Sequence, residues 1–129
     1  MTNHLIPTSS QLYQTMFHGK TLLPVIHVKK VDQMLRNLQI AKDAGADGVF
    51  LINHSPSKIP YMKLLELHAI AVSNFPGWWI GVNCLDLSSV NSFRYLNDSV
   101  DGVWVDNGGI DENNDSQVVA KLVKEIKNY

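Results

Sequence analysis

A chain of 129 residues makes one domain at most, long enough to bury a core; with a formal net charge of −1 and no Lys/Arg run beyond Lys29-Lys30, it excludes nucleic acid and anionic membrane as main partners. Cys84 is the one cysteine, which excludes a disulfide framework and a paired-cysteine metal knuckle. No apolar run reaches membrane-spanning length, and MTNHLIPTSSQLYQ lacks a charged stretch leading into an apolar one, so a cytoplasmic location is the expectation.

Residues 8–19, TSSQLYQTMFHG, read as a short opening helix, with Ser9 or Ser10 as cap and Gly19 as terminator. TLLPVIHV (21–28) is an apolar, β-branched run of strand length. Pro24 lies inside it and offers no amide to a ladder, so this is expected to be an edge strand or to carry a break. In 31–44, Val31, Met34, Leu35, Leu38 and Ala41 recur at helical spacing, and Gly45 suits the residue just past the helix end. A strand follows at VFLIN, then the loop 55–60, in which Pro60 can start the next helix. The helix 61–75 carries Leu64, Leu65, Ala69 and Val72, and Pro76-Gly77 closes it. WWIGVNCL (78–85) reads as the third strand. A short helix capped by Ser88 or Ser89 carries Val90, Phe93 and Leu96. VWVDN (103–107) reads as the fourth strand, NGGIDENND as a polar loop, and 116–129 as a closing helix with Val119, Leu122, Val123 and Ile126 inward.

One octet occurs twice in nearly the same form, DGVFLINH from Asp47 and DGVWVDNG from Asp101, 54 residues apart. The period equals two βα units, so the octets open strands two and four. Apolar strands alternating with helices imply a parallel sheet covered by helices. The expected fold is therefore α/β: a parallel (βα)4 half of a TIM-type barrel behind a short N-terminal helix, in one domain over 1–129. A flavodoxin-like open sheet is the alternative. The barrel type is preferred because all four strands end in polar groups, at His27, Asn53-His54, Asn83 and Asp106-Asn107. A dinucleotide-binding sheet would need a glycine fingerprint after the first strand, and VIHVKKVD has no glycine. Four units leave strand edges open, so self-association through those edges is expected; a flattened sheet and a fragment of a full barrel are the other outcomes.

At ADGVFLINH, FPGWWIGVNCL and VDGVWVDNGGID the chain resembles bacterial TIM-barrel proteins related to the BtpA/SgcQ family. Pro24-Val25-Ile26-His27 matches a first strand of the Pro-x-x-His type. Gly45-Ala46-Asp47-Gly48 with Asn53, and Gly81-Val82-Asn83, match the second and third strands. The likeness spans about residues 22–111, the N-terminal half of such a barrel. Two positions depart from the pattern: Ile52 stands where an acidic residue is usual, and Lys29-Lys30 where a Leu-Pro-Gly loop is usual. The resemblance implies a TIM-barrel fold and, as one functional reading, an assembly factor.

Strand carboxyl ends converge on one pocket in barrels, so the candidate site residues are those at the strand tips. Asp106 and His27 are the candidate acid/base pair; Asn53, His54, Asn83, Asn107 and Gly108 are candidate ligand-binding residues. His27, His54 and Asp106 can also be drawn as a divalent metal site, but no His-x-His or HExxH spacing calls for one, and no metal or other cofactor is assigned. Gly108-Gly109 reads as an anion nest or a plain turn. Asparagine at a strand end equally serves loop backbone, and histidine there can be structural. His18, His68 and Cys84 read as structural. Trp78 and Trp79 point to opposite sides of their strand, one under a helix and the other toward a planar ligand at the mouth. The expected function is binding of a small phosphorylated or ribosyl-type metabolite, by analogy with the fold. The alternative is a noncatalytic, self-associating half-barrel or assembly factor.

Overall fold

Glycine and aspartate begin each octet, and their positions explain how the sheet is assembled. In the computed structural model, which describes residues 19–53, 59–84, 89–105 and 116–127, the elements alternate as expected. They are β1 (Val25–His27), α1 (Val31–Asp43), β2 (Gly48–Ile52), α2 (Tyr61–Asn74), β3 (Trp79–Asn83), α3 (Ser89–Arg94), β4 (Val103–Trp104) and α4 (Ser116–Lys127). The expected opening helix, His54 after strand two and the tip of strand four lie outside the described residues. No helix among the described residues is long and apolar enough to cross a membrane.

The strands lie in the order β1-β2-β3-β4, all parallel. Parallel crossovers are right-handed, so a strictly sequential order sends successive helices to the same face. Accordingly α1 and α2 touch each other and both pack on β2. The flavodoxin-like alternative does not fit: there the first strand sits between the second and third, whereas here β1 lies at the edge and pairs with β2 alone. The start of an edge strand makes Pro24 tolerable. Its carbonyl accepts from the Phe50 amide at 3.0 Å, on the side that faces β2, so its missing N–H forgoes one ladder bond and the strand proper starts at Val25. The same proline shortens the strand to three residues from the expected eight.

Alternation along the strands separates two faces. Ile26, Val28, Val49, Leu51, Ile80, Val82 and Cys84 face the helices and form one apolar cluster with Met34 and Leu38 of α1 and Leu64, Leu65, Leu67 and Ala71 of α2. Burying each large aliphatic side chain here contributes about 1.5–3 kcal/mol. Gly45 closes α1 in the left-handed region, at φ +93°, with its amide on the Lys42 carbonyl.

The two aspartates of the octets do the same work. The Leu22 amide donates to Asp47 Oδ2 at 2.7 Å while the Asp47 amide donates to the Leu22 carbonyl at 3.0 Å. The Ile80 amide donates to Asp101 Oδ2 at 2.9 Å while the Asp101 amide donates to the Ile80 carbonyl at 3.2 Å. Each carboxylate thus clasps the amino-terminal end of the preceding strand through a two-bond ring, and the repeated octet is a repeated joint. Ile80 is fully buried, so its amide has no recourse to water when the carboxylate is removed. Asp101→Ala is expected to lower unfolding free energy by about 2 kcal/mol, with Asp101→Asn recovering part of it, while Asp47→Ala at the exposed joint costs less; urea unfolding of the three variants checks this order.

Candidate functional site

The register brings one residue from each strand into a single row at the carboxyl end of the sheet. His27 is level with Ile52, Ile52 with Asn83, and Asn83 with Trp104. By alternation this row belongs to the face turned away from the helices. Below it on the same face Val25, Phe50 and Gly81 are level with one another. Phe50 meets Trp79 edge-on at 5.0 Å between ring centroids and meets Trp104 at 5.9 Å. Gly81 makes this possible: a Cβ there would stand 2.8 Å from the Phe50 ring, from the Trp79 ring and from the Gly102 carbonyl. Gly102 is constrained in the same way, since its Cβ would stand 2.6 Å from the Trp79 indole. The glycine of the second octet is thus a seat for Trp79.

The candidate residues divide accordingly. Asn83 stands in the row, its side chain fully buried, with no hydrogen-bond partner for either Oδ1 or Nδ2. His27 stands in the row with its ring exposed at the sheet edge. Asn53 does not join them. It follows Ile52 by one residue, is fully buried, and donates from Nδ2 to the Ile59 carbonyl at 3.0 Å, supporting the approach to α2. His54, Asp106, Asn107 and Gly108 lie outside the described residues. The aromatic at the rim is Trp104, not a member of the Trp78-Trp79 pair. Trp79 opens β3 at the opposite end from Asn83, and Trp78 packs against the helix-side cluster, its Nε1 donating to the Ala46 carbonyl at 3.3 Å.

Gln33 is a supporting residue that the sequence reading passed over. Its Nε2 donates to the His27 carbonyl at 2.8 Å, and its Oε1 accepts from the Lys29 amide at 2.9 Å. This side chain fixes the turn from β1 into α1 and with it the position of His27. Its signal was a glutamine three residues after Lys30, the returning half of a capping box whose first residue has no acceptor to offer. Among the described residues no three His, Cys, Asp or Glu side chains gather as metal ligands.

Among the described residues, grooves open at either edge of the sheet. One, of about 620 Å³, runs along the outer edge of β1 and α1, lined in part by Leu22, Val25, His27 and Ile40. The other, of about 490 Å³, lies among Phe93, Leu96, Asp98 and Val103 near the amino end of β4. Only the first reaches a row residue, His27.

Two buried titratable groups belong to the frame. Tyr61 donates its hydroxyl to the Ser92 carbonyl at 2.9 Å, tying α2 to α3, and burial pushes its pKa well above the usual phenol range. His68 is fully buried on α2, with Nε2 donating to the Ile80 carbonyl at 2.9 Å and Nδ1 unpartnered. Burial lowers its pKa, against the smaller opposing pulls of that carbonyl and of Asp101. Compared with family models, curated proteins and solved structures, the chain matches none.

Because the folded state holds His68 neutral, the unfolded chain takes up its proton first as pH falls through about 6.5. Stability from this group is complete above that pH and declines below it, by up to about 1.4 kcal/mol per pH unit. His68→Gln, which keeps a donor for Ile80, is expected to flatten the fall in Tm between about pH 7.5 and 5; equal slopes in parent and variant would contradict the assignment.

Proposed function

We propose that the chain is one (βα)4 half of a TIM-type barrel, akin to the BtpA/SgcQ group, that binds a small phosphorylated or ribosyl-type metabolite at the carboxyl ends of its strands. The row His27–Ile52–Asn83–Trp104 carries this reading. In barrels the face away from the helices is the interior, and ligands meet it at the carboxyl rim. A sequential parallel order with the helices on one face is the order such a half requires. In this reading Asn83 and His27 hold the ligand, Gln33 positions His27, and Asp106, two residues beyond Trp104, is the acid/base group expected from sequence. Asn53 supports the loop instead.

Thermal unfolding of the chain with D-ribose, ribose 5-phosphate and inorganic phosphate tests the proposal. At tenfold the dissociation constant a bound probe should raise Tm by about 3–6 °C, and His27→Ala or Asp106→Ala should reduce the rise. No rise with any probe removes the reading.

A second reading, a noncatalytic half-barrel that pairs with another copy of itself, is favoured by the outer edge of β1. Leu22, Val25 and Ile40 are 63%, 37% and 66% exposed along the groove there, an apolar strip that runs beside the outer edge of β1 onto α1. Joining β4 of one copy to β1 of the next would continue the sheet. Sedimentation velocity across a hundredfold range of concentration should show association that Val25→Lys weakens. A monomer throughout discards this reading.

A further inference from the structure

Two asparagines end neighbouring strands at full burial, and only one of them is satisfied. Asn53 finds the Ile59 carbonyl, whereas among the described residues Asn83 finds nothing for either end of its carboxamide. A carboxamide brings two donors and an acceptor, and leaving them unmet out of water is costly. Its neighbours in the row offer no remedy. Ile52 has no polar side-chain atom, and Trp104 has a donor only, on an indole that is 41% exposed. A residue kept at such a cost, level with the half-exposed indole of Trp104, marks a place where something else completes the bonds.

We propose that Asn83 is the specificity-determining residue of the rim: it engages a hydroxyl-bearing sugar ring through both amide atoms, with Trp104 as the platform for the ring's apolar face. This rests on the ligand-binding reading above and narrows it. A hydroxyl both donates and accepts, so adjacent hydroxyls can meet Oδ1 and Nδ2 together. A phosphate ester dianion only accepts; it can take the Nδ2 protons, but its oxygens face Oδ1 with lone pairs on both sides, at a depth where water cannot screen the repulsion. A phosphate carried by the ligand therefore lies away from Asn83.

The test compares parent, Asn83→Leu and Trp104→Ala chains against D-ribose, ribose 5-phosphate and inorganic phosphate. Leucine keeps the branched shape of the carboxamide and removes both unmet polar atoms; the smaller Asn83→Val controls for its extra volume. The Asn83→Leu chain is expected to unfold at the parent's temperature or above it without ligand, while losing the ribose-induced shift. Trp104→Ala should weaken ribose binding about tenfold and leave the fold intact. In 15N NMR of the parent, ribose should move the Asn83 side-chain amide resonance and inorganic phosphate should not. A lower Tm for both Asn83→Leu and Asn83→Val would make Asn83 structural and overturn the proposal, as would a ribose shift that survives the substitution. If phosphate alone moves the Asn83 resonance, or if binding depends on His27 and not on Asn83, the polyol assignment falls and the rim site stands. If none of the three probes binds the parent, both fall.

Discussion

The carboxylate clasps at the amino ends join β1 to β2 and β3 to β4, and with the five-residue ladder between β2 and β3 they hold the register on which the rest of this molecule depends. The strands are short, three, five, five and two residues, and a parallel ladder of that length supplies few bonds. Asp47 and Asp101 each add a charge-assisted bond to the backbone of the strand before them and receive one backbone bond in return. A slip of one residue would send every side chain to the opposite face. With the joints fixed at one end, the other end aligns His27, Ile52, Asn83 and Trp104. The site is thus set by bonds at the far pole of the sheet.

The two faces follow different rules. The helix side is aliphatic and closed, with Val49, Leu51, Ile80 and Val82 wholly out of solvent. The other side is aromatic and glycine-rich, and among the described residues it carries no helix. Phe50, Trp79 and Trp104 pack there at edge-on angles above the absent side chains of Gly81 and Gly102. Polar groups on the closed side are satisfied by the frame: Asn53 by Ile59, His68 in part by Ile80, Tyr61 by Ser92. Asn83, on the aromatic side, is left for a partner of another kind. Frame and site are separated by side-chain phase more than by distance.

Helix and strand positions were largely legible in the sequence, because each βα unit is written locally. Apolar residues recur at helical spacing over 31–43, Gly45 ends that helix, and Pro24 marks the edge strand. The polar tips of strands one and three, His27 and Asn83, were legible as well. Which tip residues act together was not. Asn53 and Asn83 look alike in sequence, yet one follows the last strand residue and the other is that residue, and that single step reverses the face. The repeat was visible, but the purpose of its aspartates was not, since their partners Leu22 and Ile80 lie 25 and 21 residues away. Gln33 escaped notice because Lys30 is an atypical start to a capping box.

By itself the sequence determined that this is an α/β chain of alternating units with a parallel sheet, an edge strand at Pro24 and polar groups at its strand ends. Hydrophobic periodicity and turn chemistry act over a few residues, so they can be read from a single chain. Only the tertiary structure decided the strand order, the phase of each strand tip, the seating of Trp79 on Gly102 and the isolation of the Asn83 carboxamide. Those depend on register between strands that are distant in sequence, and register is an equilibrium of the whole sheet.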